Sequence, residues 1–112
     1  MRELVASPRL FVTTRAVLFE VGDALCKPRH RLSACRLLDA LEADAQTQIV
    51  PTGEELCVRA LDLFRQRPDK DWSLTDCLSF VVMTDFGLTQ ALTTDEHFEQ
   101  AGFKALLREP TA

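Results

Sequence analysis

The stretch Asp71–Phe103, DWSLTDCLSFVVMTDFGLTQALTTDEHFEQAGF, decides the fold. Leu74, Cys77, Leu78, Val81 and Val82 recur at helical spacing, Ser73 stands where a cap belongs, and Gly87 supplies the left-handed residue that ends a helix. The pattern predicts a helix over Leu74–Phe86. Phe80 and Met83 lie off that stripe, so the helix is apolar nearly all round and is expected to be buried on more than one side, as in a layered α/β core. Gln90–Thr93 is too short for a second helix and reads as a strand. Asp95 then follows at the strand's carboxyl end, where open α/β sheets gather their ligands, and Asp76 in the first turn of the helix is placed to face the same crevice.

Working outward from that stretch, S-L-T-D-C-L-S-F, T-T-D-E-H-F and A-G-F-K-A-L-L follow one another in an order and spacing that resemble the C-terminal half of a PIN domain, the fold of VapC-like toxin ribonucleases. Upstream, T-T-R-A-V-L-F-E-V-G-D-A-L resembles the family's helix with an acidic site residue, here Glu20. The resemblance runs from about Leu10 to Leu107. It implies a single PIN-like domain over residues 1–112, α/β in class, three-layer α/β/α, with a mainly parallel sheet. The family's opening strand ends in a metal-binding Asp, yet Met1–Arg9 contain no Asp. The first strand is therefore expected to be missing or replaced, and the domain N-terminally short. A late start, an inactive remnant, and adaptation through dimerisation or a borrowed strand each account for this.

Composition bounds the alternatives. A chain of 112 residues makes one domain able to bury about 65% of its unfolded surface. With 46% apolar and 27% charged residues it is globular, and no apolar run approaches the ~20 residues of a membrane span. No signal-type segment follows the start, so a cytoplasmic location is expected. Net charge of −4 argues against a domain that holds nucleic acid by bulk electrostatics. It leaves room for a nuclease whose cation bridges carboxylates and phosphate. Cys26, Cys35, Cys57 and Cys77 are scattered singly, with no C-x-x-C pair, and read as buried small apolar residues.

The rest of the chain reads as alternating strands and helices. Leu10–Val12 forms an extended link. A helix capped by Thr13 or Thr14 follows to about Cys26, with Val17, Val21, Ala24 and Leu25 inward, Glu20 beside that stripe and Asp23 opposite. The basic run Lys27–Arg31 is expected to be a loop. Leu32–Ala43 is a helix with Leu32, Cys35, Leu38 and Leu41 inward, Gln48–Val50 a strand, and Thr52 with Glu55 a capping box opening a helix that stops before Pro68. A final strand falls within Gly102–Leu107. This alternation indicates βαβ units and a parallel sheet.

Glu20, Asp76 and Asp95 carry the candidate chemistry. Two carboxylates ~4 Å apart repel by about 4 kcal/mol at the effective dielectric of a protein surface, so gathering three requires a cation or protons. Oxygen ligands select Mg²⁺ or Mn²⁺. The resemblance implies that Asp76 and Asp95 hold the metal, that Glu20 binds it directly or through water, that Ser73 assists by hydrogen bonding, and that a metal-bound water attacks an RNA phosphate. RNA as substrate, an antitoxin as partner and self-association through exposed sheet edges follow from the same resemblance. Each acid also has a structural reading: Asp76 as the acidic member of a capping box, Asp95 as the cap of the turn before Glu96–Phe98, Glu20 as a charge at the core edge. His97 reads as a structural histidine outside the site, Asp85 is unfavourable to its helix dipole, and Glu99 reads as surface. The rival function is a binding module that keeps the fold without turnover. A flavodoxin-like or receiver-like domain gives no role to T-T-D-E-H-F.

Overall fold

The computed structural model describes residues 11–108. The expectation of a missing first strand, which concerns Met1–Arg9, lies outside them. Among the described residues four strands and five helices follow in the order βααβααβαβ, and the chain divides into two compact units between Thr52 and Gly53.

The first unit is a parallel βααβ arrangement: β1 (Phe11–Thr14), α1 (Arg15–Ala24), α2 (Pro28–Ala43) and β2 (Thr47–Val50). β1 pairs with β2 in register Phe11↔Thr47 through Thr14↔Val50. The segment expected as an extended link is thus a strand. Its last residue, Thr14, is 2% exposed and caps α1, its hydroxyl accepting from the Val17 amide at 3.1 Å. A buried hydroxyl is tolerated there because it is bonded.

Each helix keeps part of the face expected to turn inward and adds a residue to it. On α1 the buried residue is Leu18, Val17, Val21 and Leu25 are half-buried, and Ala24 and Glu20 are exposed. Glu20 lies about 200° round the helix from the buried Leu18 but only about 60° from Val17, so it flanks the stripe as expected, on its exposed edge. On α2 the inward row is Ala34, Leu38 and Leu41, spaced i, i+4, i+7. Cys35 and Leu32 stand roughly 100° and 160° from Ala34 and are exposed. Cys26, in the turn after α1, is also exposed, so of the four free cysteines only Cys77 is buried and Cys57 is half-buried.

The basic run is not a loop. Pro28 occupies the first turn of α2, where its fixed φ suits the helix and its missing N–H costs nothing. Arg31 turns back to donate to the Cys26 carbonyl at 3.0 and 2.6 Å. Asp44 closes the other end by accepting from the Gln46 amide at 3.0 Å and the Thr47 hydroxyl at 2.8 Å, bonds that hold its carboxyl below the ordinary range.

The second unit comprises α3 (Glu54–Gln66), α4 (Leu74–Asp85), β3 (Gln90–Ala91), α5 (Glu96–Gln100) and β4 (Lys104–Ala105). Thr52 does not form the expected box. Gly53 is the N-cap of α3, and the buried Thr52 hydroxyl has no hydrogen-bond partner among the described residues.

The organising helix α4 is as the sequence indicates except at Leu74, which is exposed at the helix start, where no following turn covers it. Cys77, Leu78, Phe80, Val81, Val82 and Met83 are buried, covering more than one face. It ends in a Schellman turn, with Gly87 at φ 67°, its amide bonding the Thr84 carbonyl and the Leu88 amide reaching the Met83 carbonyl at 2.8 Å. Phe80 is its hub, with ring centroids of Trp72, Phe98 and Phe103 at 5.0, 4.9 and 5.7 Å. Asp85, unexplained by the dipole, forms a two-pronged pair with Arg59 of α3 at 2.6 and 2.8 Å.

β3 and β4 pair in parallel, Gln90↔Lys104 and Ala91↔Ala105. Both observed strand pairings are parallel, as expected. Two-stranded sheets are marginal alone, so packed helices carry most of the stability.

Candidate functional site

Two helix N-termini in the second unit bring the site together. Ser73 caps α4, its hydroxyl accepting from the Asp76 amide at 3.0 Å while Asp76 Oδ2 accepts from the Ser73 amide at 3.1 Å. This reciprocal box follows from the S-L-T-D spacing alone. It holds the Asp76 carboxylate against the first turn, where the helix dipole favours negative charge. Asp95 caps α5 in the same manner, Oδ1 accepting from the His97 amide at 2.9 Å, and its own amide donates to the Thr93 hydroxyl at 3.0 Å.

His97 joins the two caps. Its Nδ1 lies 2.9 Å from Asp76 Oδ2 and 3.4 Å from Asp95 Oδ1. Ionised carboxylates only accept, so Nδ1 carries the proton, an assignment made from the chemistry of its partners. One potential ligand atom from each of Asp76, Asp95 and His97 lies within 4.8 Å of the others. Side-chain exposures of 15% for Asp76, 24% for His97 and 40% for Asp95 leave the group open on the Asp95 side.

This donor set suits a hard divalent cation. The hydrogen bonds of Asp76 fall on Oδ2 and that of Asp95 on Oδ1, so each carboxylate retains a second oxygen beyond these bonds. Mg²⁺ and Mn²⁺ favour such oxygens. The same geometry also satisfies the structural readings, since both acids act as caps.

Of the residues singled out by sequence, Asp76 and Asp95 are brought together, 19 positions apart in the chain. Ser73 reaches the group through Asp76 rather than by its own hydroxyl, which is engaged in the cap. Glu20 is an exposed residue of α1 in the first unit. His97, set aside as structural, contacts both acids. The signal for it was the D-x-H spacing, which puts the imidazole on the turn that its neighbour caps.

Comparison with solved structures places the chain close to VapC20 of Mycobacterium tuberculosis, described as a sarcin-ricin loop cleaving toxin, with a TM-score of 0.78 over 91% of this chain and 78% of that one. At 24% identity this likeness establishes the fold. No curated protein sequence matches the chain. The PIN domain model matches residues 1–104, all of the first unit and most of the second, and the chain therefore belongs to the PIN domain family.

Proposed function

We propose that the chain is a metal-dependent endoribonuclease of the PIN, VapC-like type, cleaving RNA phosphodiesters at Asp76 and Asp95. The observation that carries this reading is the convergence of two capped carboxylates on one imidazole nitrogen. Family membership supports it, as does the likeness to a toxin that cleaves an RNA loop.

In this reading Asp76 and Asp95 hold Mg²⁺ or Mn²⁺. When bound, the cation neutralises phosphate charge and acts as a Lewis acid on the scissile group. The chain's own residues supply position. The Ser73 amide and His97 Nδ1 restrain Asp76, and the His97 amide restrains Asp95, so neither carboxylate must reorganise when a ligand arrives. Glu20 enters on its motif position, as the third acid. RNA as substrate, an antitoxin-like partner, self-association and a cytoplasmic setting belong to the same proposal, and the family match across both units supports reading residues 1–112 as one domain. Among the described residues no helix is long and apolar enough to cross a membrane.

A second reading, an inactive PIN-like binding module, is favoured by one observation: Asp76 and Asp95 are both already employed as helix caps.

Thermal unfolding with and without millimolar Mn²⁺ separates the two. A ligand at a hundredfold excess over its Kd stabilises the folded state by about 2.7 kcal/mol, a Tm rise on the order of 10 °C for a domain of this size. The ribonuclease reading expects that rise in the unmodified chain and its loss in Asp95→Asn, which removes the charge yet caps a helix as well as Asp does. Metal-dependent RNA cleavage should disappear in the same variant and on chelation. A cooperative melt indifferent to Mn²⁺ selects the binding module.

A further inference from the structure

The second unit also contains a pocket of about 350 Å³ that the proposed chemistry does not use. Trp72, Phe80 and Phe103 give it an aromatic wall, and Arg59, Arg67 and Gln100 are its principal polar groups. The Arg67 guanidinium lies 5.1 Å from the Trp72 ring centroid and is held by Asp69 at 3.0 and 2.9 Å. Gln100 Oε1 accepts from Trp72 Nε1 at 3.0 Å, which leaves the Gln100 amide nitrogen to donate elsewhere.

Such a lining suits a planar heterocycle. Nucleobases stack on aromatic and guanidinium planes, and their edges pair with amide donors. The volume is at the small end of ligand pockets, which run from roughly 300 Å³ upward. An acidic peptide is less well served, because Asp85 and Asp69 already neutralise the two arginines.

The pocket and the carboxylates share two helices. On α4 the pocket residues Phe80, Val81 and Thr84 follow Asp76 by four, five and eight residues, about 6 to 12 Å along the axis. On α5, Gln100 follows Asp95 by five, about 7.5 Å. At its near end, by Phe80, the pocket is about two nucleotides of rise from Asp76 along the axis, at ~3.4 Å per nucleotide of one strand. We propose that this pocket receives an unstacked base of single-stranded RNA whose adjoining phosphate lies at Asp76 and Asp95. The choice of RNA rests on the ribonuclease reading, and the pocket deepens it by adding a base-selective subsite.

Trp72 is the only tryptophan in the chain, so its fluorescence reports on the pocket directly. The test titrates the four nucleoside 5′-monophosphates, ribose 5-phosphate and an acidic phenylalanine-containing peptide in EDTA, where no turnover contributes. At least one nucleotide should quench Trp72 saturably while ribose 5-phosphate does not. Gln100→Ala should weaken that binding roughly 3- to 10-fold, the effect of one lost hydrogen bond. Ala101→Leu, which fills the pocket, should abolish it, with circular-dichroism melts confirming that both variants fold. Cleavage of RNA with Mn²⁺ is measured separately. Absent cleavage with the quench intact sinks the ribonuclease reading and leaves the base site standing. No quench by any nucleotide, quench by ribose 5-phosphate or the peptide in their place, or quench that survives Ala101→Leu overturns the base site, whatever the cleavage assay gives.

Discussion

Ser73 controls the position of a carboxylate it does not itself resemble. Its hydroxyl takes the Asp76 amide and its own amide donates to Asp76 Oδ2, so removing the hydroxyl unpins the first turn of α4 and the acid together. Ser73→Ala should lower stability by about 1 kcal/mol, the usual cost of a lost N-cap, read as a shifted denaturation midpoint. Ser73→Asp, another good cap, should recover most of it. If the proposed cation site depends on that restraint, Ser73→Ala also weakens the Mn²⁺-induced Tm rise, while a cap with no part in the site leaves the rise intact. His97 belongs at this scale too: 24% exposed, it is held between two acids by a single nitrogen.

Between elements, the pair Arg59–Asp85 ties α3 to the end of α4. The Arg59 hydrogen bonds hold the Asp85 carboxyl below its ordinary value, and Asp85 raises the Arg59 guanidinium in return. The sign follows from linkage. A carboxyl with a lowered folded-state value contributes stability above its unfolded value, about pH 4, and that contribution is lost as pH falls through the folded-state value. Asp85→Asn should therefore flatten the acid limb of the stability curve below about pH 4, measured by urea melts across pH. Both partners are more than two-fifths exposed, so the effect is small and salt-sensitive. Asp69, drawn down to about 2 by Arg67, acts in the same window and in the same sense.

For the whole molecule, net charge of −4 limits how RNA can be held. Each phosphate contact to a single strand adds about −0.7 to the slope of log affinity against log salt. An acidic chain in which five of the eight described arginines pair with carboxylates should show a slope of roughly −1 to −3, measured by RNA binding between 50 and 200 mM salt. A much steeper slope would point to a broad basic track. The family match across both units and the parallel pairing within each agree with the expected class of fold.

The determinants legible in the sequence are local ones. The α4 helix, its Ser73 cap, its Gly87 terminus and the cap at Asp95 depend on groups two to six residues apart, and a pattern of spacing records them directly. The family motifs added the pairing of Asp76 with Asp95 as an expectation. Tertiary structure decided the rest. The face each helix buries depends on what packs against it, which is why Leu18 joins Val17 and Val21 on the inward side of α1 and Ala34 replaces Cys35 on that of α2. The approach of His97 to Asp76, across 21 positions, and of Arg59 to Asp85, across 26, needs two helices docked at a set angle. Neither propensity nor periodicity encodes that angle, because it comes from side chains of both helices interlocking at once.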